Sequence, residues 1–317
     1  MKLSRWVTAG LALLAAAGCQ RAPAPAARGP RVALVLKTPN NPFFIDMQRG
    51  AEEAARRLGV ELIVQAPERE IDVEKQMQII ENLIQTGVDA LCIAPSSSRG
   101  IVPALGKANA ARIPIVVVDD EVDQVAAAQA GVHTESYVGS DNVEGGRLAG
   151  QYLVQASGGK ATLAILEGIP GHETGDSRLR GFREAIGRAP GIKSVGSQTA
   201  NWERDQGFTV FQNMLQAHPE IDSLFACNDM MALGAVEAIA AARRAGRVRV
   251  IGFDAVDDAK KAIAAGTMAA SIAQFPSEMG RLAVETAVKL IRGEKVPADQ
   301  RTSIGLVTLE TLASGGS

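Results

Sequence analysis

Rings, carboxylates, side-chain amides and cations stand at a recurring kind of place in this chain, directly after short apolar runs. Lys37, Asn40, Asn41, Phe43 and Phe44 follow the run 32–36, Asp119 and Asp120 follow 115–118, and Glu167 with a loop reaching Arg178 follows 162–166. Trp202 follows 194–199, Asn228 and Asp229 follow 223–226, Phe253 and Asp254 close 248–253, and Gln274 follows 268–273. Aromatic residues make up only 4% of the chain, so Phe43, Phe44, Trp202 and Phe253 at these ends mark a rim rather than a core. A pyranose has apolar C–H faces that pack flat on rings and an edge of hydroxyls that both donate and accept, so its site needs rings, acceptors and donors together. Hydrogen bonds to charged groups contribute about 1.5–3 kcal/mol each. A handful of them with two stacked faces reaches the roughly 8 kcal/mol of micromolar binding. Taken singly these residues have plainer uses: Asn41 and Asn228 as helix caps, Phe43 as core, Asp119 as a strand end, Lys37 as a solvated lysine. Their joint placement is the argument for a ligand.

Catalysis is the competing chemistry, and the sequence offers it little. There is no phosphate-loop, zinc-protease or nucleophile-elbow motif, and no Gly-rich dinucleotide fingerprint after a strand. His133, His172 and His218 are isolated and read as surface or loop histidines. Asp119 and Asp120 are adjacent, and adjacent side chains at a strand end diverge unless the loop turns sharply, which argues against a paired acid and base. Cys92 and Cys227 each sit in an apolar run, far apart and without a CxxC or His neighbour, so both read as buried free thiols. No metal, cofactor or catalytic residue is expected. Lys and Arg number 33 against 35 Asp and Glu, a net charge of −2 without long basic runs, which argues against nucleic acid as a partner.

The elements that must position these residues follow from the pattern around them. At about 150 residues per unit, 317 residues predict two compact units. From Arg31 onward short apolar runs alternate with longer segments of helical period, the signature of parallel α/β sheets. Strands are predicted at the runs above and at 61–65, 90–94, 137–139 and 303–308, and their continuous hydrophobicity suits strands covered on both faces. Asn41-Pro42 predicts a capped helix start, and Gly59 and Gly87 predict helix ends. In such sheets ligands bind at the carboxyl ends of the strands, where the polar and aromatic residues stand.

Ahead of this pattern, Lys2 and Arg5 precede an apolar run from Trp6 to Ala17, and Gly18 and Cys19 follow. Residues 1–18 read as an export signal, too short for the ~20 residues of a membrane-spanning helix. Losing Lys2 and Arg5 with it takes the net charge from −2 to −4. The Cys directly after small residues resembles the lipobox of bacterial lipoproteins, with Ala16 where Leu is usual. That resemblance implies a lipidated Cys19 holding the protein to a membrane. Residues 19–30, rich in Pro and Ala, read as an extended tether.

Lys37-Thr38 with Asn41-Pro42-Phe43-Phe44, Asp119-Asp120, Ser140-Asp141-Asn142, Asn201-Trp202-Glu203-Arg204, Asn228-Asp229-Met230-Met231-Ala232-Leu233-Gly234 and Gly252-Phe253-Asp254 occur together between Arg31 and Glu310. In this combination the chain resembles the periplasmic sugar-binding proteins of the ribose, allose and galactose group. The resemblance implies the periplasmic binding protein type I fold: α/β, with two flavodoxin-like lobes joined by a three-segment hinge near Asp141, Gln274 and Ser303. The first lobe would comprise 31–140 plus 275–303, and the second 141–274 plus 304–317. The group's sugar contacts fall on Asn41, Phe43, Phe44 and Asp119 in one lobe and on Arg178, Trp202, Asn228 and Asp254 in the other. Phe253 lies beside them, Gln274 at a crossing, and Lys37 and Asp120 complete the candidate set.

Ribose binders have Asn where this chain has Ala94 and an Asp-Arg pair where it has Asp119-Asp120, so an acceptor replaces a donor. The allose-binding branch is closer, sharing Lys37-Thr38, Ala94-Pro95, the acidic pair, the Trp202 context and Cys227-Asn228-Asp229. The implied function is extracytoplasmic capture of a neutral monosaccharide or polyol, allose-like before ribose, for delivery to the membrane subunits of an ABC importer. A monomer in the periplasm or cell envelope is expected. The sequence leaves open a sugar sensor that feeds a chemoreceptor or sensor kinase instead of transport. A repressor's effector domain shares this fold, but the export signal and the missing DNA-binding helices exclude that role.

Overall fold

The computed structural model describes residues 29–314; the signal segment, Cys19 and the tether as far as residue 28 lie outside the described residues. Strands β1 (Arg31–Val35), β2 (Glu61–Gln65), β3 (Ala90–Ile93), β4 (Ile115–Val118) and β5 (Ser136–Ser140) alternate with helices α1 (Pro42–Leu58), α2 (Val73–Thr86), α3 (Val102–Ala110) and α4 (Gln124–Ala130). The chain then runs through α5 (Asn142–Ala156), β6 (Lys160–Glu167), α6 (Glu173–Ile186), β7 (Gly191–Thr199), α7 (Arg204–Ala217) and β8 (Ser223–Ala226). It continues with α8 (Asp229–Ala241), β9 (Arg249–Asp254), α9 (Asp257–Ala264) and β10 (Ala270–Ala273). Last come α10 (Pro276–Ile291), β11 (Asp299–Thr302), β12 (Gly305–Thr308) and α11 (Leu309–Ala313).

These strands form two sheets. One is wholly parallel, ordered β2-β1-β3-β4-β5-β11. The other, β7-β6-β8-β9-β10-β12, is parallel except for β12, which runs antiparallel to β10. Each order reverses once, between β1 and β3 and between β6 and β8, and a reversal opens a crevice at the carboxyl ends of the strands. The chain passes between the sheets three times: from β5 to α5, from β10 to α10, and from β11 to β12. Among the described residues no helix is long and apolar enough to cross a membrane.

The apolar runs explain the layering. β1, β3 and β4 lie between one cluster built with α1 and α10 and another built with α2, α3 and α4. The second sheet has a core of its own around Phe182, Phe211 and Phe225. Two expectations need correction. Coverage on both faces fails at the edges, where β2 is half-buried and β7 largely exposed. The terminal strand expected at 303–308 is β12, while β11 just before it was not expected; Asp299-Gln300-Arg301-Thr302 is a polar edge strand with no hydrophobic signature. The punctuation holds: Asn41 Oδ1 accepts from the Phe43 N–H at 3.0 Å, and Gly59 and Gly87 end their helices at φ 68° and 78°. Cys92 and Cys227 are buried free thiols, both pushed up to about 12 by burial.

Candidate functional site

The carboxyl ends of the two sheets face each other across a cleft. Lys37, Asn41, Phe43, Phe44, Glu70 and Asp119 line one wall of a small cavity, and Thr174, Arg178, Trp202, Asn228 and Asp254 line the other. Asn41 and Asn228 do two jobs: each caps a helix through Oδ1 and spends Nδ2 on the site, on Glu70 Oε1 at 3.2 Å and on the Trp202 carbonyl at 3.1 Å. Phe43 and Phe44 meet edge to face with centroids 5.2 Å apart. Fully buried Gln76 ties the switch point together, donating to the carbonyls of Leu36 (3.1 Å) and Ala94 (2.9 Å) and accepting from the Ser96 N–H at 2.8 Å.

Three cavity residues hold left-handed backbone, Asp119 at φ 66°, Trp202 at 67° and Asp254 at 116°. Such conformations cost about 1–3 kcal/mol each and persist where surrounding structure enforces them. Here it does. The Tyr137 hydroxyl donates to the Asp119 carbonyl at 2.7 Å, Asn228 holds the Trp202 carbonyl, and the Ala255 N–H donates to Ser271 Oγ at 3.0 Å. The turn aims the Asp119 side chain into the cleft.

Carboxyl groups outnumber cations inside this shell, Glu70, Asp119 and Asp254 against Lys37 and Arg178. Lys37 Nζ lies 3.1 Å from Asp119 Oδ2 and 3.3 Å from Asp120 Oδ2. Burial opposes its charge, but the surrounding carboxylates raise its pKa well above the usual lysine value. Arg178 donates from Nε to Asn142 Oδ1 at 2.9 Å and from one terminal nitrogen to the Cys227 carbonyl at 2.7 Å, with Asp254 Oδ1 at 3.7 Å. Its guanidinium lies 3.9 Å over the Phe253 ring. Burial pushes Glu70 up to about 7 against the opposing pull of Lys37 and Asn41, and pushes Asp254 to about 7 against Arg178 and Gln274. Two cations and several acceptors around ring faces suit a neutral polyhydroxyl ligand; an anion would face uncompensated carboxylates.

Of the residues expected at the site, Lys37, Asn41, Phe43, Phe44, Asp119, Arg178, Trp202, Asn228 and Asp254 are brought together around the cavity, and Asp120, Phe253 and Gln274 are not. Phe253 is fully buried beneath Arg178. Gln274 donates to Asp254 Oδ1 at 2.8 Å, leaving its own Oε1 buried and unpartnered. Asp120 turns from the cavity toward α6, where the Thr174 N–H and hydroxyl donate to its Oδ1. His172 corrects a further expectation, being 2% exposed, with Nδ1 accepting from Trp202 Nε1 at 3.3 Å. His133 is exposed and His218 half-buried. Glu70 and Thr174 were missed: an acid in a polar loop or a Thr in the first turn of a helix carries no sequence signal, and only the fold closes both onto the cleft.

Two facing α/β lobes with a polar, aromatic-lined cavity between them define a cleft-type small-molecule binder. The chain belongs to the family described as "Periplasmic binding protein domain", whose model matches residues 32–295, and has the type I fold of that class. It is 37% identical to the ribose import binding protein of Escherichia coli over 276 residues, 87% of this chain and 90% of that one. To the D-allose-binding periplasmic protein of the same organism it is 35% identical over 277 residues, covering 87% and 89%. Among solved structures, an ABC transporter periplasmic solute-binding protein from Actinobacillus succinogenes with bound D-allose superposes with TM-score 0.84 at 40% identity, covering 90% of this chain and 99% of that one.

Proposed function

We propose that this chain is an extracytoplasmic binding protein that captures a neutral monosaccharide or polyol in the interlobe cavity and hands it to the membrane subunits of an ABC importer. The carrying observation is the convergence on one small interlobe pocket of Phe43, Phe44 and Trp202 for the sugar's faces and Asn41, Asp119, Arg178, Asn228 and Asp254 for its edge, drawn from both lobes. The lobes, 31–140 plus 275–303 and 141–274 plus 304–317, close about the three crossings, and ligand shifts the population toward the closed form by its differential affinity. Relatives named for ribose and allose and a structural neighbour holding D-allose support this class of ligand. An allose-like hexose is favoured over ribose because Ala94 offers no amide and Asp120 has left the cavity, so the site lacks two polar groups that a ribose binder has there.

The protein acts as a binder and not as an enzyme: Lys37 is paired with Asp119, Arg178 lies against Asp254 and Glu70 accepts from Asn41, and its relatives are named as binding proteins. It is a monomer, anchored by lipid on Cys19. Calorimetric competition among D-allose, D-ribose, D-galactose, myo-inositol and a sugar phosphate tests the ligand. D-allose binding at least as tightly as ribose is expected, with no phosphate binding. Ribose winning by more than about tenfold, roughly 1.4 kcal/mol, overturns the hexose preference.

A further inference from the structure

The start of α6 is unusual in where its backbone donors go. The first N–H groups of a helix have no partner within it and are ordinarily satisfied by a side chain at the residue just before. His172 occupies that position and makes no such bond. The donors are taken from across the cleft instead: Glu173 N–H donates to Ser98 Oγ at 3.1 Å, and Thr174 N–H donates to Asp120 Oδ1 at 3.1 Å. The Thr174 hydroxyl adds a bond to the same oxygen at 2.7 Å. Asp120 itself is fully buried and held by Lys37 and by Ser98 Oγ at 3.4 Å. A carboxylate at a helix N-terminus is further favoured by the helix dipole.

We propose that Asp120 and Ser98 cap α6 in trans, so that the first lobe completes a helix of the second only when the cleft is shut. Asp120 is then a positioning residue that sets affinity through closure and makes no sugar contact. Opening the cleft strips α6 of its cap, and α6 carries Thr174 and Arg178 to the cavity, so closure and the ordering of the ligand-binding helix are one event. Apparent affinity scales with the fraction of molecules that are binding-competent, so a weaker cap weakens binding; because Lys37 and Thr174 also line the cavity, the hydrogen-exchange readout carries the distinction.

The inference rests on the sugar-binding reading, and its test separates the two. Amide hydrogen exchange of the segment 171–179 and D-allose calorimetry are measured on wild type, Asp120→Ala, Thr174→Val and Thr174→Ser. Saturating D-allose is expected to protect this segment in wild type and Thr174→Ser. In Asp120→Ala protection of the first turn is expected to be lost and affinity to fall about tenfold, mainly through faster dissociation; Thr174→Val falls between. Undiminished protection in Asp120→Ala, or unchanged affinity, overturns the trans cap. If wild type binds no sugar, the functional reading fails, and a cleft cross-linked shut between the lobes replaces the sugar: protection of 171–179 in cross-linked wild type but not in cross-linked Asp120→Ala supports the cap, and equal protection in the two overturns it.

Discussion

Asp119 shows how much one residue is asked to do. Its backbone is left-handed, its carbonyl is held by Tyr137 and its carboxylate faces Lys37 across the cavity wall. Asn tolerates that backbone and Ala does not, so Asp119→Asn tests the charge and Asp119→Ala adds strain. Asp119→Ala and Arg178→Ala are each expected to weaken sugar binding by about 2 kcal/mol or more, because each leaves buried polar partners unpaired. Calorimetry checks the affinity and circular dichroism the fold; unchanged affinity in both would move the site elsewhere. Glu70 supplies a pH signature. Burial raises its pKa from 4.5 to about 7 in the folded protein, so between those values the folded state holds a proton that the unfolded state has released. Stability from this group is therefore complete below about 4.5 and is lost as pH rises through 7. Glu70→Gln removes that loss, so its melting temperature should gain on wild type from pH 5 to pH 8; thermal melts across that range showing a constant difference would count against a buried, proton-holding Glu70.

Helices and strands decide which side chains meet, and here the legibility of the sequence was uneven for physical reasons. β1, β3 and β4 were readable because strands covered on both faces must be apolar throughout, and α1 because Asn41, Pro42 and Gly59 mark its ends. β11 was not, since a polar edge strand owes its existence to the hydrogen-bonding edge of β5 and to no preference of its own. The cavity was readable where residues follow strands directly, as Lys37, Asp119, Asn228 and Asp254 do. It was opaque where a loop brings a residue back, as with Glu70 and His172, and where a turn carries one away, as with Asp120. The α5–α6 contact was invisible in the same way: a Cβ at Gly181 would strike the Val143 carbonyl, and one at Gly146 the Arg178 carbonyl, so two glycines let these helices touch by their backbones. Gly181→Ala must push α6 off α5. A loss of about 1–3 kcal/mol of stability is expected, as for other overpacked contacts, together with weaker sugar binding because Arg178 travels with the helix. Denaturant unfolding and calorimetry on the one variant read both; a stable protein of normal affinity would show that the helix contact does not position Arg178.

At the scale of the whole molecule, the described chain joins the first sheet from its start, the Pro30 carbonyl accepting from the Glu61 N–H at 2.9 Å. Residues 19–30 are rich in Pro and Ala. If Cys19 carries the proposed lipid, an extended chain of that composition, at about 3.1 Å per residue, would place the body roughly 35 Å or less from the membrane. On that reading the tether would keep the protein beside a transporter and leave both lobes free to close, since β1, the first strand of the described residues, belongs to the first sheet. Anchoring and sugar capture should accordingly be separable. Cys19→Ser is expected to shift the protein from the membrane to the soluble envelope fraction with its affinity for sugar unchanged, and to lower uptake in cells at limiting sugar by diluting the binder away from the importer. Fractionation, calorimetry and uptake assays on this variant check the three outcomes, and an unlipidated N-terminus on the wild-type protein by mass spectrometry would sink the anchor while leaving the cleft and its ligand untouched.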